Sequence, residues 1–248
     1  KTNGTWATGW QQAQGTANWT ALVPNLATGT NIVRVRCRDS RNVSVPANLM
    51  LIYYPRQELV LTLAGNGTVT PFSGNTNLIV GQSYTLTATP APGNLFYNWS
   101  GGIVPGPLAP LGTKSQLTFT MTTGLVLRAT FIFTSYFSGA LGTYNGLFHE
   151  PDEARLESAG SFSLTLTKRG LYTAQLQSRD TLYQTNGQFS LDGQATNIFS
   201  CGCGGSGSLT VGWALDLGHT RSNYLTGRVT HSGCNEAWNA DLLGDLAQ

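Results

Sequence analysis

Apolar and polar residues alternate singly along most of this chain, the period of a half-buried strand, and the 3.6-residue period of an amphipathic helix is almost absent. Asn31–Asp39 places Val33, Val35 and Cys37 on one side and Arg34, Arg36 and Arg38 on the other. The first three are expected to face a core, with Cys37 as a small core residue, and the arginines a solvated surface. Trp19–Val23 and Leu49–Tyr54 predict two more strands nearby. Further along, Tyr84, Leu86 and Ala88 share a face, as do Leu117, Phe119 and Met121, and then Leu125, Leu127, Ala129 and Phe131, with Trp99 as the bulky plug of that core. The last stretch sets Phe162, Leu164 and Leu166, then Tyr172, Ala174 and Leu176, then Leu209, Val211, Trp213, Leu215 and Leu217 inward. The fold class is all-β.

Turn chemistry divides the chain into three units: residues 1–55, residues 58–133, and residues 141–248, with Pro55-Arg56-Gln57 as a short linker. Gly102–Thr113, with three prolines, predicts a long loop in the second unit. In the third, turns such as Lys168-Arg169-Gly170 and Asp192-Gly193 join strands in sequence order. Roughly eight such strands close most economically as an up-and-down barrel.

Motifs in each unit resemble known bacterial modules. Gly15–Tyr54, with its Trp strand, L-x-x-G-x-N turn and V-x-V-x-x-x-D strand, is similar to the second half of a bacterial immunoglobulin-like module. That resemblance implies a partial Ig-like sandwich, since a complete one needs around seven strands. Half a sandwich leaves an apolar face and an open edge, so a cover is expected from further sequence, the next domain or a neighbouring molecule. In the second unit, Gly65-Asn66-Gly67-Thr68-Val69, the run Gly81–Pro90, Trp99-Ser100-Gly101, Leu117–Met121 and Arg128–Phe131 follow the order of the bacterial repeat of internalin B type. This implies a small β repeat domain of a surface or secreted protein. The third unit, opening on Gly142–Phe148 (GTYNGLF), resembles a C-terminal module of large exported proteins of verrucomicrobial type.

Composition narrows the partners. Charged residues make up 10% of the chain, where a quarter is typical, and the 14 basic and 12 acidic side chains leave a formal charge of +2. That balance speaks against a nucleic-acid partner, and no apolar run approaches the length of a membrane-spanning helix. Lys1–Trp10 lacks the apolar core and cleavage site of a leader, as expected of a trimmed chain or a piece of a larger one. The expected setting is extracellular or cell-surface. The expected partners are other protein modules or copies of the chain itself, with carbohydrate as an alternative.

Chemistry-bearing residues are sparse. Cys201, Cys203 and Cys234 gather in the last third, and in an exported β protein a disulfide from Cys234 to either Cys201 or Cys203 is the natural reading. With His231 the same three cysteines make a zinc-ligating set, but the tight C-x-C spacing and an oxidising setting weigh against it, so no metal and no cofactor is expected. His149-Glu150 opens an acidic run through Asp152 and Glu153 to Glu157, yet Pro151 and Ala154 break the zinc-protease spacing. No nucleophile elbow or phosphate loop is present, so no catalytic residue is assigned. For binding, Trp6, Trp10 and Trp19 form a candidate aromatic platform for sugar rings. The expected function is non-catalytic: surface structure, adhesion or spacing. Two alternatives are a self-assembling subunit whose first module is completed by a neighbour's strand, and a carbohydrate-binding appendage of a larger secreted enzyme.

Overall fold

The computed structural model describes residues 12–14, 18–24, 26–38, 41, 44–153, 155–201, 207–218, 224–233 and 237–247. Strands β1 (Gly29–Arg38) and β2 (Ser44–Tyr53) pair antiparallel as a two-stranded ribbon. Among the described residues no third strand joins it. Trp19–Val23 forms no strand; that region contributes a single bridge, Gln14 to Thr20. The register places Val33, Val35 and Cys37 opposite Leu49, Ala47 and Val45 on one face. Ile32 and Met50 lie on the other, with Arg34 and Arg36. Neither face is fully covered: Val33 and Val35 are half-buried, but Val45 is 69% and Met50 66% exposed, and Cys37 is exposed with a free thiol. Cys37 is therefore not a core residue, because two strands alone supply no second layer to bury it.

The next unit is a two-layer sandwich. β3 (Arg56–Ala64), β4 (Gly67–Thr70), β5 (Thr76–Ile79), β6 (Ser83–Pro90), β7 (Asn94–Ile103), β8 (Ala109–Gly112), β9 (Gln116–Thr120) and β10 (Leu125–Phe133) follow in order. Five form one sheet, β5-β3-β10-β7-β8, and three the other, β4-β6-β9. The expected linker is shorter than the sequence implies, since β3 already begins at Arg56. The expected loop at Gly102–Thr113 is instead a hairpin: β7 runs to Ile103 and β8 returns along its edge. Prolines 105 and 107 fall in the connection and Pro110 sits on an edge strand, where a missing N–H costs least. Leu86, Trp99, Met121, Leu127 and Ala129 are fully or almost fully buried between the sheets, as the alternation predicts. The Trp99 indole N–H donates to the Ser115 carbonyl at 3.2 Å, so its one polar group is satisfied in the core.

The Gly65-Asn66-Gly67 turn is tied to this core through Phe131. Gly65 sits at φ +79°, and a Cβ there would lie 2.1 Å from the Phe131 carbonyl oxygen. Gly65→Ala is expected to cost about 2 kcal/mol, combining a left-handed backbone with a clash against β10. Chemical denaturation of parent and variant chains measures it.

The third unit is a meander of eight antiparallel strands: β11 (Gly142–His149), β12 (Gly160–Leu166), β13 (Leu171–Ser178), β14 (Thr181–Gln188), β15 (Gln194–Cys201), β16 (Gly207–Leu215), β17 (Tyr224–Ser232) and β18 (Trp238–Leu246). β11 pairs with β18, so first and last strands meet, and the order β14-β13-β12-β11-β18-β17-β16-β15 leaves one seam, between β14 and β15. This is the expected up-and-down barrel, nearly closed. Phe162, Leu164, Leu166, Tyr172, Ala174, Leu176, Leu209, Val211, Trp213 and Leu215 are all buried in it, and Leu217 packs against them half-buried.

Candidate functional site

Two places concentrate polar side chains in buried surroundings, and both are structural in character. The first is the joint between the sandwich and the barrel. Consecutive residues Phe96 and Tyr97 on β7 are both buried, but in different cores: Phe96 in the sandwich and Tyr97 in the barrel. The register explains their placement. Asn98 opposes Thr130 and Phe96 opposes Phe131, so Tyr97 is the extra residue of a β-bulge, aimed away from its own sandwich. On β10, Phe131 and Ile132 divide in the same way.

The barrel answers with its turns. Arg169, between β12 and β13, donates from Nε to the Phe96 carbonyl at 2.9 Å and from Nη2 to the carbonyls of Tyr97 and Thr113. Gln188 donates from Nε2 to the Tyr97 carbonyl at 3.1 Å and to the Arg169 carbonyl at 3.1 Å. The Tyr97 hydroxyl donates to the Phe189 carbonyl, and the Tyr136 hydroxyl to the Leu191 carbonyl at 2.8 Å. Phe137, wholly buried, fills the space between. Burial lowers the Arg169 pKa from its ordinary value. Burial also pushes the Tyr97 phenol up to about 12, with the nearby Tyr136 and Asp192 adding to it, and burial alone pushes Tyr144 up to about 12.

These phenols set an alkaline limit. Both remain neutral in the folded chain to about pH 12, whereas unfolded tyrosines ionise near pH 10. Their contribution is therefore full below pH 10 and lost as pH rises from there through about 12. The thermal midpoint is expected to fall steeply across that window. An ultraviolet titration should show two of the phenols ionising only with unfolding.

The second place is the barrel seam. Asn197 on β15 accepts at Oδ1 from the Tyr172 hydroxyl at 2.6 Å and from the Trp213 indole at 2.9 Å, and donates to Thr185 Oγ1 on β14 at 2.8 Å. Tyr183 and Phe199 pack across the same gap with ring centres 5.1 Å apart and planes tilted by 50°. Side chains thus bridge the one strand pair that lacks a backbone ladder. Burial raises the Tyr172 pKa, opposed by its bond to Asn197.

Several of the expected chemistry-bearing residues lie outside the described residues. Trp6 and Trp10 lie outside the described residues; Trp19 is described and is 48% exposed. Cys203 and Cys234 also lie outside them, and of Cys201 only its place at the end of β15 is described. His231 stacks on Trp238, its register partner, at 5.4 Å and 12° between planes. Among the described residues, no three His, Cys, Asp or Glu side chains group as metal ligands.

Glu150 and Glu157 do share a hollow of about 280 Å³ with Arg155, Ala237 and Trp238. Glu157 pairs with Arg179 at 2.5 Å, and Arg155 with Glu153 at 3.1 Å, whereas Glu150 Oε1, 3.9 Å from the Arg155 Nε, is buried without a hydrogen-bond partner. A shallow outer groove of about 710 Å³ crosses β11 to β14, past Asn145, Ser163, Gln175 and Leu182.

The joint and the seam are what the sequence reading missed. Lys168-Arg169-Gly170 reads only as a turn, and Asn197 carries no sequence signal of its own. Phe96-Tyr97 carried a signal: two adjacent aromatics in one strand demand burial on both faces.

The sandwich of eight short strands closed on Trp99 and on the Gly65–Gly67 turn agrees with comparison to known families. Residues 58–133 match the family model of the divergent InlB B-repeat domain. The match spans β3 to β10 almost completely, Arg56 and Gln57 alone falling outside it, and this unit is called the B-repeat below for that similarity. No curated protein gives a match to the chain.

Proposed function

We propose that the chain is a non-catalytic, exported protein of tandem β modules that serves at a bacterial surface as structure or spacing. The observation that carries this reading is the joint: a guanidinium, an amide and two phenols, the groups best placed for binding or chemistry, are spent on holding the B-repeat to the barrel. The B-repeat match supports a surface or exported setting. The experiment is a turnover screen of the purified chain on glycans, esters and peptides. No turnover is expected; an activity abolished by a single point substitution overturns the reading.

A second reading, self-association, is favoured by the ribbon. Val45, Met50 and Ile52 are exposed on β2, whose outer edge pairs with no further strand among the described residues, a template for strand addition by another copy. Sedimentation should then show concentration-dependent association that Met50→Lys weakens. A strictly monomeric parent chain removes this reading.

A further inference from the structure

We propose that the B-repeat is a mechanical clamp, in which tension along the chain loads the β3–β10 pair in shear. The chain enters the repeat at β3 and leaves it at β10, and these two strands are neighbours inside the five-stranded sheet. They are parallel, in register from Val60 opposite Val126 to Ala64 opposite Thr130. In a parallel pair the start of one strand and the end of the other lie at opposite ends. Pulling on Arg56 and Phe133 therefore slides the strands along each other, and every hydrogen bond of the ladder resists at once.

The barrel has the opposite geometry. Its first and last strands are antiparallel, with Tyr144 opposite Leu246 and the Ala247 N–H donating to the Thr143 carbonyl at 2.7 Å. Entry and exit share one end, so tension there peels the pair bond by bond. The clamp is also shielded from water. Leu59, Leu61, Leu127 and Ala129 bury one face of the two strands against the second sheet, keeping water from competing for the ladder. Thr62 adds a side-chain bond to the Leu127 carbonyl at 3.4 Å. β5 and β7 flank the pair, so neither clamp strand is an edge. Beyond the clamp, Ile132 and Phe137 anchor the exit of β10 in the barrel core. A tether at a surface needs this resistance; that use rests on the spacer reading, whereas the clamp stands on topology alone.

Single-molecule pulling on the full chain tests it by changing only the direction of force. In a background with the four native cysteines replaced by serine, handles on Tyr54→Cys and Thr134→Cys load β3 and β10 in shear. Handles on Tyr54→Cys and Thr123→Cys pull from the ends of both strands that lie side by side, and so peel them. All three positions are exposed, and the covalent path between either pair of handles excludes the barrel strands. The shear pair is expected to rupture at severalfold higher force than the peeling pair at the same loading rate. Equal forces overturn the clamp and leave the non-catalytic reading standing. Enzymatic turnover would end that reading without altering either force.

Discussion

Arg169→Ala is expected to destabilise the B-repeat and the barrel together, by about 3 kcal/mol, because hydrogen bonds to a charged group are worth roughly 1.5–3 kcal/mol each and their loss strands buried carbonyls. The guanidinium reaches Phe96, Tyr97 and Thr113 across the joint, beside the buried Tyr97 and Phe137. For a body of this size the thermal midpoint should drop by roughly 6–12 °C. Arg169→Lys keeps the charge but not the planar fork, and should recover less than half of the loss. Calorimetry distinguishes the joint from an ordinary surface contact. The parent is expected to melt in one transition, and in the alanine variant the B-repeat and the barrel should separate into two. A shift under about 1 kcal/mol, with a single transition retained, would show that the two modules are held by apolar packing alone.

This coupling changes how the modules act. Domain interfaces within one chain are usually polar and permit relative motion. Here Tyr97 and Ile132 of the B-repeat are members of the barrel's own core, so the modules cannot separate without exposing that core to water. The result is a stiff unit beginning at β3. The β1–β2 ribbon precedes it with Val45, Met50 and Ile52 exposed on β2, outside the core that the two modules share.

The sequence revealed local periodicity well and long-range contact poorly. Alternation at Phe162–Leu166, Tyr172–Leu176 and Leu209–Leu215 identified inward residues correctly, because a strand with one buried face writes that face directly into every second position. Turns such as Asp192-Gly193 ordered the meander for the same local reason. Cys37 was misread because alternation reports the face a residue shares, not whether a second layer exists to cover it. Gly102–Thr113 was misread because prolines on an edge strand look like loop residues until the edge is known. The joint was illegible from spacing: Arg169 and Phe96 are 73 residues apart, and only the folded topology brings turn and bulge together.

Trp213→Ala is expected to cost about 4–5 kcal/mol, in line with large aromatic truncations in well-packed cores. The indole is 1% exposed, packs edge-on to Phe162 at 5.4 Å and lies 6.5 Å from Tyr172. Its removal opens a cavity that a closed barrel cannot collapse, since every neighbouring strand but those at the seam is held by a ladder on both sides. It also removes one of the two donors that fix Asn197, which with Thr185 bridges the seam. Trp213→Phe separates these effects. It retains most of the volume and loses the indole N–H, and should cost about 1–2 kcal/mol. Hydrogen exchange gives the spatial readout: amides of β14 and β15 should exchange faster in both variants, those of β12 only in the alanine variant. Uniform acceleration in the phenylalanine variant would mean that Asn197 fills a polar gap without holding the seam shut.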